Sequence, residues 1–278
     1  MIYKLLCRTL ESYGSPVRCI YERNEAALRL KEGLEQSKGY YEFGNSRSDP
    51  AGPPAAGPAY PCEHEGPVRE GHVLITENGV LYDVDYVNGQ KTGFFLDQKY
   101  NRQAAARIAK GKRVLDCFTD TGSFALNAAF GGAEHVHAVD ISAPSIEVAK
   151  SNAVLNGLEN RMSFQVANVF DLLPELEKTA RRSYDMIILD PPAFTKSRKT
   201  ISSAERGYKE INYRAMKILP RGGYLATCSC SHFMAPDLFA KTIAEAAHGA
   251  HKRLRRQDRW RLHRLPLSRG YRRQYRRA

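Results

Sequence analysis

The sequence predicts an α/β protein whose main part is a doubly wound, mostly parallel β-sheet. From residue 98 onward, short apolar runs that are typical of buried strands alternate with amphipathic stretches that are typical of helices. Because a helix follows each strand, consecutive strands can lie parallel, with helices on both faces of the sheet. We predict strands at 113–118, 135–139, 162–166, 184–190 and 223–228, and helices at 98–110, 123–130, 144–156, 171–181, 203–219 and 236–248.

A smaller α+β domain is predicted over residues 1–92, ahead of the main domain at 93–250. A loop is expected at 44–67, because this stretch is rich in Gly, Pro, Ser and Ala and lacks apolar periodicity. The Asn78-Gly79 pair favours a hairpin turn, since both residues tolerate positive φ. The other elements expected here are a helical start, strands at 15–23, 73–77 and 80–87, and a helix at 26–34.

The positive charge of the chain is concentrated at its C-terminal end. The formal net charge is +12, and residues 251–278 contain eleven Arg and one Lys against one Asp. The remaining residues carry 30 basic and 29 acidic side chains, so the body of the protein is nearly neutral. We therefore treat 251–278 as an Arg-rich tail outside the core.

Composition also indicates the class of protein. No apolar run approaches the ~20 residues of a membrane-spanning helix. The first residues carry frequent charges without an apolar core, so no secretory signal is expected. The six cysteines lack the spacing of metal ligands or of a disulfide scaffold. A cytoplasmic protein with reduced thiols and no metal is predicted.

Polar residues follow the first three predicted strands of the main domain. Asp116 ends the first strand before a small-residue turn at Thr121-Gly122, Asp140 ends the second, and Asn168 follows the third. Ligands of doubly wound sheets bind at the carboxyl ends of the strands. Asp140 could accept both hydroxyls of a ribose, and Asn168 could contact an adenine edge. Each residue alone could be a loop residue or a helix cap, but together they predict an adenosine cofactor.

The number and spacing of glycines after the first strand indicate which adenosine cofactor is bound. A P-loop would need Gly-Lys followed by Ser or Thr after the first strand, and a dinucleotide site would need Gly-x-Gly-x-x-Gly. The turn from Phe118 to Phe124 contains neither and has a single glycine. Two adjacent strands with acidic ends and one small turn between them favour S-adenosylmethionine.

The fourth strand ends in Asp190-Pro191-Pro192-Ala-Phe194. Proline cannot extend a strand ladder, so the two prolines hold the Asp190 carboxylate and nearby carbonyls at the strand tip. Phe194 offers a ring on which a substrate base could stack. The alternative is that the two prolines only end the strand and have no role in binding or catalysis.

The fifth strand ends in a polar sequence that contains Cys228 and Cys230. Carbon 5 of a pyrimidine becomes nucleophilic only after a thiolate adds at carbon 6, so a cysteine beside a carboxylate suits methylation at carbon 5. Asp190 would hydrogen-bond N3 of the ring as charge develops. Alternate strand residues share a face, so geometry leaves the choice between the two cysteines open.

Four motifs follow one another at Lys91–Arg102, Asp116–Phe124, Asp190–Phe194 and Thr227–Ser231. In this order they resemble the RlmI-type family, class I S-adenosylmethionine-dependent methyltransferases that form 5-methylcytosine in large-subunit ribosomal RNA. The similarity covers about residues 15–43 and 68–250. It implies a small α+β domain before the catalytic domain, and ribosomal RNA as the partner. The oligomeric state, a homodimer included, is left open by the sequence.

The resemblance also implies roles for individual residues. In this broad kind of enzyme the nucleophile lies seven residues after the second glycine of a Gly-Gly pair. Counting from Gly223 leads to Cys230 rather than Cys228. Gln98 and Arg102, one helical turn apart, are expected to face the methionine end of the cofactor.

Two departures from the family pattern are expected. Members usually begin with an RNA-binding PUA domain, and this chain starts too late to contain one. A class I sheet also needs two further strands after residue 250, where 251–278 has no alternating apolar run. The tail could bind RNA through arginines and the rings of Trp260, Tyr271 and Tyr275. We favour a reading-frame product that replaces the last strands, because functional tails are usually added to a complete fold.

Two rival functions remain at this stage. An enzyme of the same fold that methylates a ring nitrogen of guanine would need the Asp190-Pro-Pro sequence but no thiol nucleophile. An inactive RNA-binding protein with this fold would bind the cofactor without methyl transfer. Replacement of Cys230 by Ala separates cytosine chemistry from guanine chemistry.

Overall fold

The computed structural model describes residues 9, 10, 12, 14, 20–40 and 71–251. The loop at 44–67, the start of the predicted strand at 15–23, most of the first predicted helix and the tail after 251 lie outside the described residues. The expectation of missing or replaced C-terminal strands therefore also lies outside them. The chain forms two compact units, one of Met1–Leu74 with Val84–Phe94 and one of Ile75–Asp83 with Phe95–Ala278.

The first unit contains a small antiparallel pair of strands. Strands β1 (Tyr21–Asn24) and β2 (Ser37–Tyr40) pair across helix α1 (Ala27–Lys31), with Tyr21 opposite Tyr40. The rings of these two tyrosines lie edge to face, 5.0 Å apart, and Tyr86 packs on Tyr21 at 5.5 Å. Aromatic pairs of this geometry supply much of the apolar contact in so small a sheet.

A β-hairpin forms at the position that the sequence predicts. Strand β3 (His72–Glu77) pairs with β4 (Val80–Asp85). Asn78 and Gly79 both have positive φ, 55° and 84°, as a tight hairpin turn of the primed type requires.

The second unit is built around a five-stranded sheet in the order β7-β6-β5-β8-β9, and every neighbouring pair is parallel. The predicted α/β class is therefore confirmed. The chain runs outward from β5 in one direction and then in the other, so the switch point lies beside β5. The strands are β5 (Arg113–Cys117), β6 (His135–Asp140), β7 (Met162–Val166), β8 (Met186–Leu189) and β9 (Tyr224–Thr227).

In the described part of the chain, six helices flank these strands, and four of them connect consecutive strands. They are α2 (Lys99–Ala109), α3 (Ser123–Phe130), α4 (Ala143–Leu155), α5 (Val169–Thr179), α6 (Ile201–Ile218) and α7 (Pro236–His251). Among the described residues, no helix is long and apolar enough to cross a membrane.

The centre of the sheet is buried on both faces. Leu115 of β5 and Ile187 and Leu189 of β8 are fully buried and pack with Tyr208 and Ile211 of α6. Burying an aliphatic side chain of this size stabilises the fold by about 1.5–3 kcal/mol. This packing holds the carboxyl ends of β5 and β8 side by side.

Candidate active site

The turn after β5 has an unusual backbone conformation. Phe118, Asp120 and Gly122 have φ of 64°, 50° and 84°. Non-glycine residues adopt this left-handed region at a cost of order 1–3 kcal/mol, and such strain concentrates at functional sites. At Gly122 the turn also passes close to α4, because a Cβ there would lie 3.0 Å from the Cβ of Ala149. The turn therefore has a backbone conformation that allows it to pass close to α4.

Asp116 lies at the floor of this turn and is fully buried. Burial raises the pKa of its carboxyl to about 7, against the hydrogen bond from the Thr119 hydroxyl at 2.7 Å, and the nearby Asp190 adds to the rise. The Oδ1 atom of Asp116 is buried and has no hydrogen-bond partner in the described part of the chain. A buried oxygen of this kind is a site where a donor group of a ligand would be stabilised.

Asp140 is oriented by two backbone amides. The N–H of Asp120 donates to its Oδ2 atom at 3.0 Å, and the N–H of Ser142 donates to its Oδ1 atom at 2.9 Å. A carboxylate oxygen can accept a second hydrogen bond, so both oxygens can still accept one from a ligand hydroxyl. The tip of β6 thus presents a fixed pair of acceptors next to the turn.

Asp190 and Cys228 lie together at the ends of β8 and β9. Burial and the charges of Asp97 and Asp120 raise the pKa of Asp190 to about 6, while Arg102 and the Cys228 thiol act in the opposite direction. Burial, followed by Asp190 and Asp116, raises the pKa of Cys228 well above its usual value.

Cys230 has a different environment. It is exposed, and its Sγ atom lies 3.6 Å from the carbonyl oxygen of Pro191, directly after Asp190. The structure therefore brings Asp190, Pro191 and both cysteines to one edge of the sheet. Pro192, the next residue, is exposed there.

Gln98 and Arg102 approach this edge from the start of α2. The Gln98 side chain lowers the pKa of the Cys228 thiol, against the larger effect of burial, and accepts from the Asn101 amide at 2.6 Å. The Arg102 guanidinium is buried, where it donates to Glu77 at 2.7 Å and to the carbonyl of Phe95 at 2.8 Å. Contact of these two residues with a cofactor stays a prediction.

Two predicted ligand residues have structural partners. Asn168 caps α5, since its side chain accepts from the Phe170 N–H at 3.1 Å and donates to Asp171 at 2.9 Å. The ring of Phe194 packs at 4.5 Å from Tyr208 and 5.6 Å from Phe170. Adenine recognition by Asn168 and base stacking on Phe194 stay predictions.

A network around Tyr208 was not expected from the sequence. The Ser229 hydroxyl donates to the Tyr208 hydroxyl at 2.9 Å, and Tyr208 lies 2.9 Å from the Ser231 hydroxyl. The N–H of Thr195 also donates to Ser231, at 3.4 Å. The two serines that flank Cys230 were the available signal, because hydroxyls at a buried strand end need partners.

A parallel sheet with this strand order, acidic residues ending adjacent strands and one tight turn between them defines a class I methyltransferase. The family model of S-adenosylmethionine-dependent methyltransferases matches residues 58–261, and the chain belongs to this family. Its cofactor is S-adenosylmethionine, as the sequence predicts.

Named relatives indicate which methyltransferases of the family this chain is similar to. Ribosomal RNA large subunit methyltransferase I of Photobacterium profundum is 42% identical over 238 residues, which are 85% of this chain and 54% of that protein. The protein of the same name from Aliivibrio fischeri is 42% identical over 84% of this chain and 53% of its own length. The resemblance stated from the motifs is confirmed, and the chain spans about half the length of these curated relatives.

Solved structures agree with the fold. A methyltransferase structure complexed with SAH is 31% identical and superposes with a TM-score of 0.57, covering 66% of this chain and 47% of that one. A structure described as a SAM-dependent methyltransferase from Streptococcus mutans is 29% identical, with a TM-score of 0.58 over 69% of this chain and 48% of that one.

The residues at the turn fit the cofactor of the family. The missing Cβ at Gly122 lets the turn pack directly against Ala149 of α4, which fixes the position of the turn backbone. The Asp140 oxygens keep acceptor capacity for ribose hydroxyls, and the buried Oδ1 of Asp116 offers an acceptor to a donor group.

Proposed function

We propose that the protein forms 5-methylcytosine in large-subunit ribosomal RNA, with Cys230 as the nucleophile that activates the base. The observation that carries this proposal is the exposed Cys230 thiol beside the Asp190-Pro191 strand end. The relatives named as ribosomal RNA large subunit methyltransferase I support the choice of substrate. The proposal includes a cytoplasmic location, which the composition of the sequence also predicts.

The environments of the two cysteines support Cys230 over Cys228. A nucleophilic cysteine must be reachable and must react as a thiolate. Burial and two neighbouring carboxyl groups raise the pKa of Cys228 well above its usual value, so Cys228 stays a thiol. Its S–H is then available to hydrogen-bond Asp190, whereas Cys230 is exposed to an incoming base.

Asp190 supplies the second function that the reaction needs. N3 of cytosine is a hydrogen-bond acceptor, so a carboxyl group can donate to it only when protonated. A pKa raised to about 6 by burial keeps a usable fraction of protonated Asp190 near neutral pH. As the Cys230 thiolate bonds to carbon 6, electron density moves toward N3, where the Asp190 proton stabilises it.

The remaining steps complete the cycle. S-adenosylmethionine supplies the methyl group that carbon 5 takes up. A base then removes the hydrogen of carbon 5, the bond from Sγ to carbon 6 breaks, and Cys230 leaves as a thiolate. Asp116, Thr121, Gly122 and Asp140 would hold the adenosine part of the cofactor, with Gln98 and Arg102 toward its methionine part.

The test is incubation of unmodified large-subunit ribosomal RNA with tritiated S-adenosylmethionine and three proteins: wild type, Cys230→Ala and Cys228→Ala. We expect label in 5-methylcytidine with the wild type and none with Cys230→Ala. Cys228→Ala should lower the rate, because Asp190 loses a hydrogen bond, but should keep the same product.

The other outcomes are also informative. Label that persists in Cys230→Ala, or that appears in a methylated guanosine, would rule out the cysteine mechanism. Cofactor binding by calorimetry without label from any of the three proteins would indicate an inactive RNA-binding protein instead.

A further inference from the structure

Three exposed cations, Lys196, Arg198 and Lys199, lie directly after the Asp190–Phe194 strand end. None of them takes part in an ion pair, a hydrogen bond or a ring contact within the described ranges 20–40 and 71–251. We call these three residues the basic loop. Arg214 of the same unit, by contrast, is paired with Glu210 and Glu177. Within the described ranges, the charges of the basic loop are therefore not used in ion pairs.

Hydrogen bonds hold the backbone of the basic loop in place. The Thr195 hydroxyl donates to the carbonyl of Ser197 at 2.7 Å and lies 2.7 Å from the Thr200 hydroxyl. The N–H of Thr195 donates to the hydroxyl of Ser231, the residue after Cys230. The three cations are thus anchored to the same strand ends that carry the reactive thiol.

The surroundings of the basic loop strengthen its positive potential. Residues 191–209 contain five basic side chains and one acidic side chain, and of the five only Lys209 forms an ion pair within the described ranges, with Glu245. The 18-residue helix α6 starts at Ile201 with no acidic residue in its first turn, so its macrodipole adds partial positive charge at this end. In a protein body that is otherwise nearly neutral, this is a local concentration of unneutralised charge.

We propose that Lys196, Arg198 and Lys199 bind backbone phosphates of the RNA substrate next to the target base. The inference rests on the proposed function for the identity of the polyanion. Lysine and arginine bind phosphate by charge and by charge-assisted hydrogen bonds, and such contacts set the position of a nucleic acid without reading its sequence. Residues 196–200 are all exposed and present polar or charged side chains, which suits RNA better than an apolar partner.

The chain offers a matched control for this proposal. Lys178, Arg181 and Arg182 are also three exposed cations in a short stretch, without an ion pair in the described ranges. They precede β8, whereas the basic loop follows it, so the two clusters lie at opposite ends of this strand. Replacing either cluster by glutamine changes the net charge by the same amount.

The experiment is filter binding of a radiolabelled, unmodified transcript of large-subunit ribosomal RNA over a series of KCl concentrations. Wild type is compared with Lys196→Gln/Arg198→Gln/Lys199→Gln and with Lys178→Gln/Arg181→Gln/Arg182→Gln. Each phosphate contact contributes about 0.7 to the slope of log affinity against log salt for single-stranded nucleic acid. The basic-loop variant should therefore lose about 2 from the magnitude of that slope and bind about 100-fold more weakly near 0.1 M KCl.

The control variant should keep the wild-type slope and bind within about 2-fold of the wild type, because distant exposed charges are screened at this salt concentration. Equal losses in both variants, or wild-type binding by the basic-loop variant, would overturn the inference. Calorimetry with S-adenosylmethionine verifies that each variant is folded. Binding needs no turnover, so a protein that makes no 5-methylcytidine but shows the expected difference would contradict only the proposed reaction.

Discussion

Replacement of Tyr208 by Phe tests whether the network beside Cys230 positions the reactive thiol. Tyr208 is fully buried, and its hydroxyl accepts from Ser229, so its own proton is free to be donated to Ser231. The substitution removes only this oxygen and keeps the ring that packs on Phe194. Both serines that flank Cys230 then lose a buried partner.

The structure allows the size of the effect to be worked out. A hydrogen bond contributes about 0.5–1.5 kcal/mol net, so loss of the two bonds should lower the free energy of unfolding by about 1–3 kcal/mol. The effect on turnover should be larger than stability alone explains, because displacement of a reactive group by about 1 Å can cost about 100-fold in rate. We expect kcat for methyl transfer to fall about 10-fold or more, with little change in KM for S-adenosylmethionine.

The assay combines methyl transfer with alkylation of Cys230 by iodoacetamide, measured by peptide mass spectrometry. Tyr213→Phe is the matched control, because Tyr213 lies on the same helix and its hydroxyl has no hydrogen-bond partner in the described part of the chain. Tyr208→Phe should change the alkylation rate of Cys230 severalfold, and Tyr213→Phe should not. If Tyr208→Phe lowers the urea midpoint but keeps wild-type kcat and alkylation, Tyr208 is only a core residue and the reasoning is wrong.

Three further predictions concern the elements that hold the site. Glu77→Gln leaves a buried guanidinium without its charge partner and should cost about 3–5 kcal/mol in urea unfolding, against under about 1 kcal/mol for the exposed ion-pair residue Glu147→Gln. Gly122→Ala adds a close contact with Ala149 to the strain of a positive φ, whereas Gly111→Ala has a positive φ in open space. Gly122→Ala should therefore lower the free energy of unfolding more than Gly111→Ala does. Only Gly122→Ala should weaken cofactor binding in calorimetry. Burial raises the pKa of Asp116 in the folded protein to about 7, above its usual 3.8. Between these two values the folded state binds more protons than the unfolded state, so the free energy of unfolding of the wild type should fall as pH rises. In urea melts at pH 5 and pH 8, Asp116→Asn should show a smaller fall than the wild type, and an equal fall would contradict the assignment.

The sheet and its acidic strand ends could be predicted from the sequence alone. Strands buried on both faces produce short continuous apolar runs, and Leu115 and Ile187 are fully buried as such runs imply. Since a doubly wound sheet places its ligands at the carboxyl ends of the strands, the positions of Asp116, Asp140 and Asp190 followed from the strand boundaries.

Predictions that depend on the partner of a polar side chain were less complete. The sequence predicts a helix that starts at Asp171, but the structure starts α5 at Val169 with Asn168 as the cap. A preference for Asx residues at helix starts does not distinguish two such residues three positions apart. Phe194 was expected at the substrate, and the packing of its ring on Tyr208 shows a second, structural use of the residue.

The sequence by itself determined the fold class, the family and the residues at the strand ends, because those depend on local apolar patterns and contiguous motifs. Only the tertiary structure decided that Arg102 pairs with Glu77, that Tyr208 joins both serines beside Cys230, and that the cations after Asp190 have no ion pair with the other residues that the structure describes. Each of these facts is a contact, or the lack of one, between side chains on different elements. Such contacts depend on how the elements pack, and no local pattern along the chain records that packing.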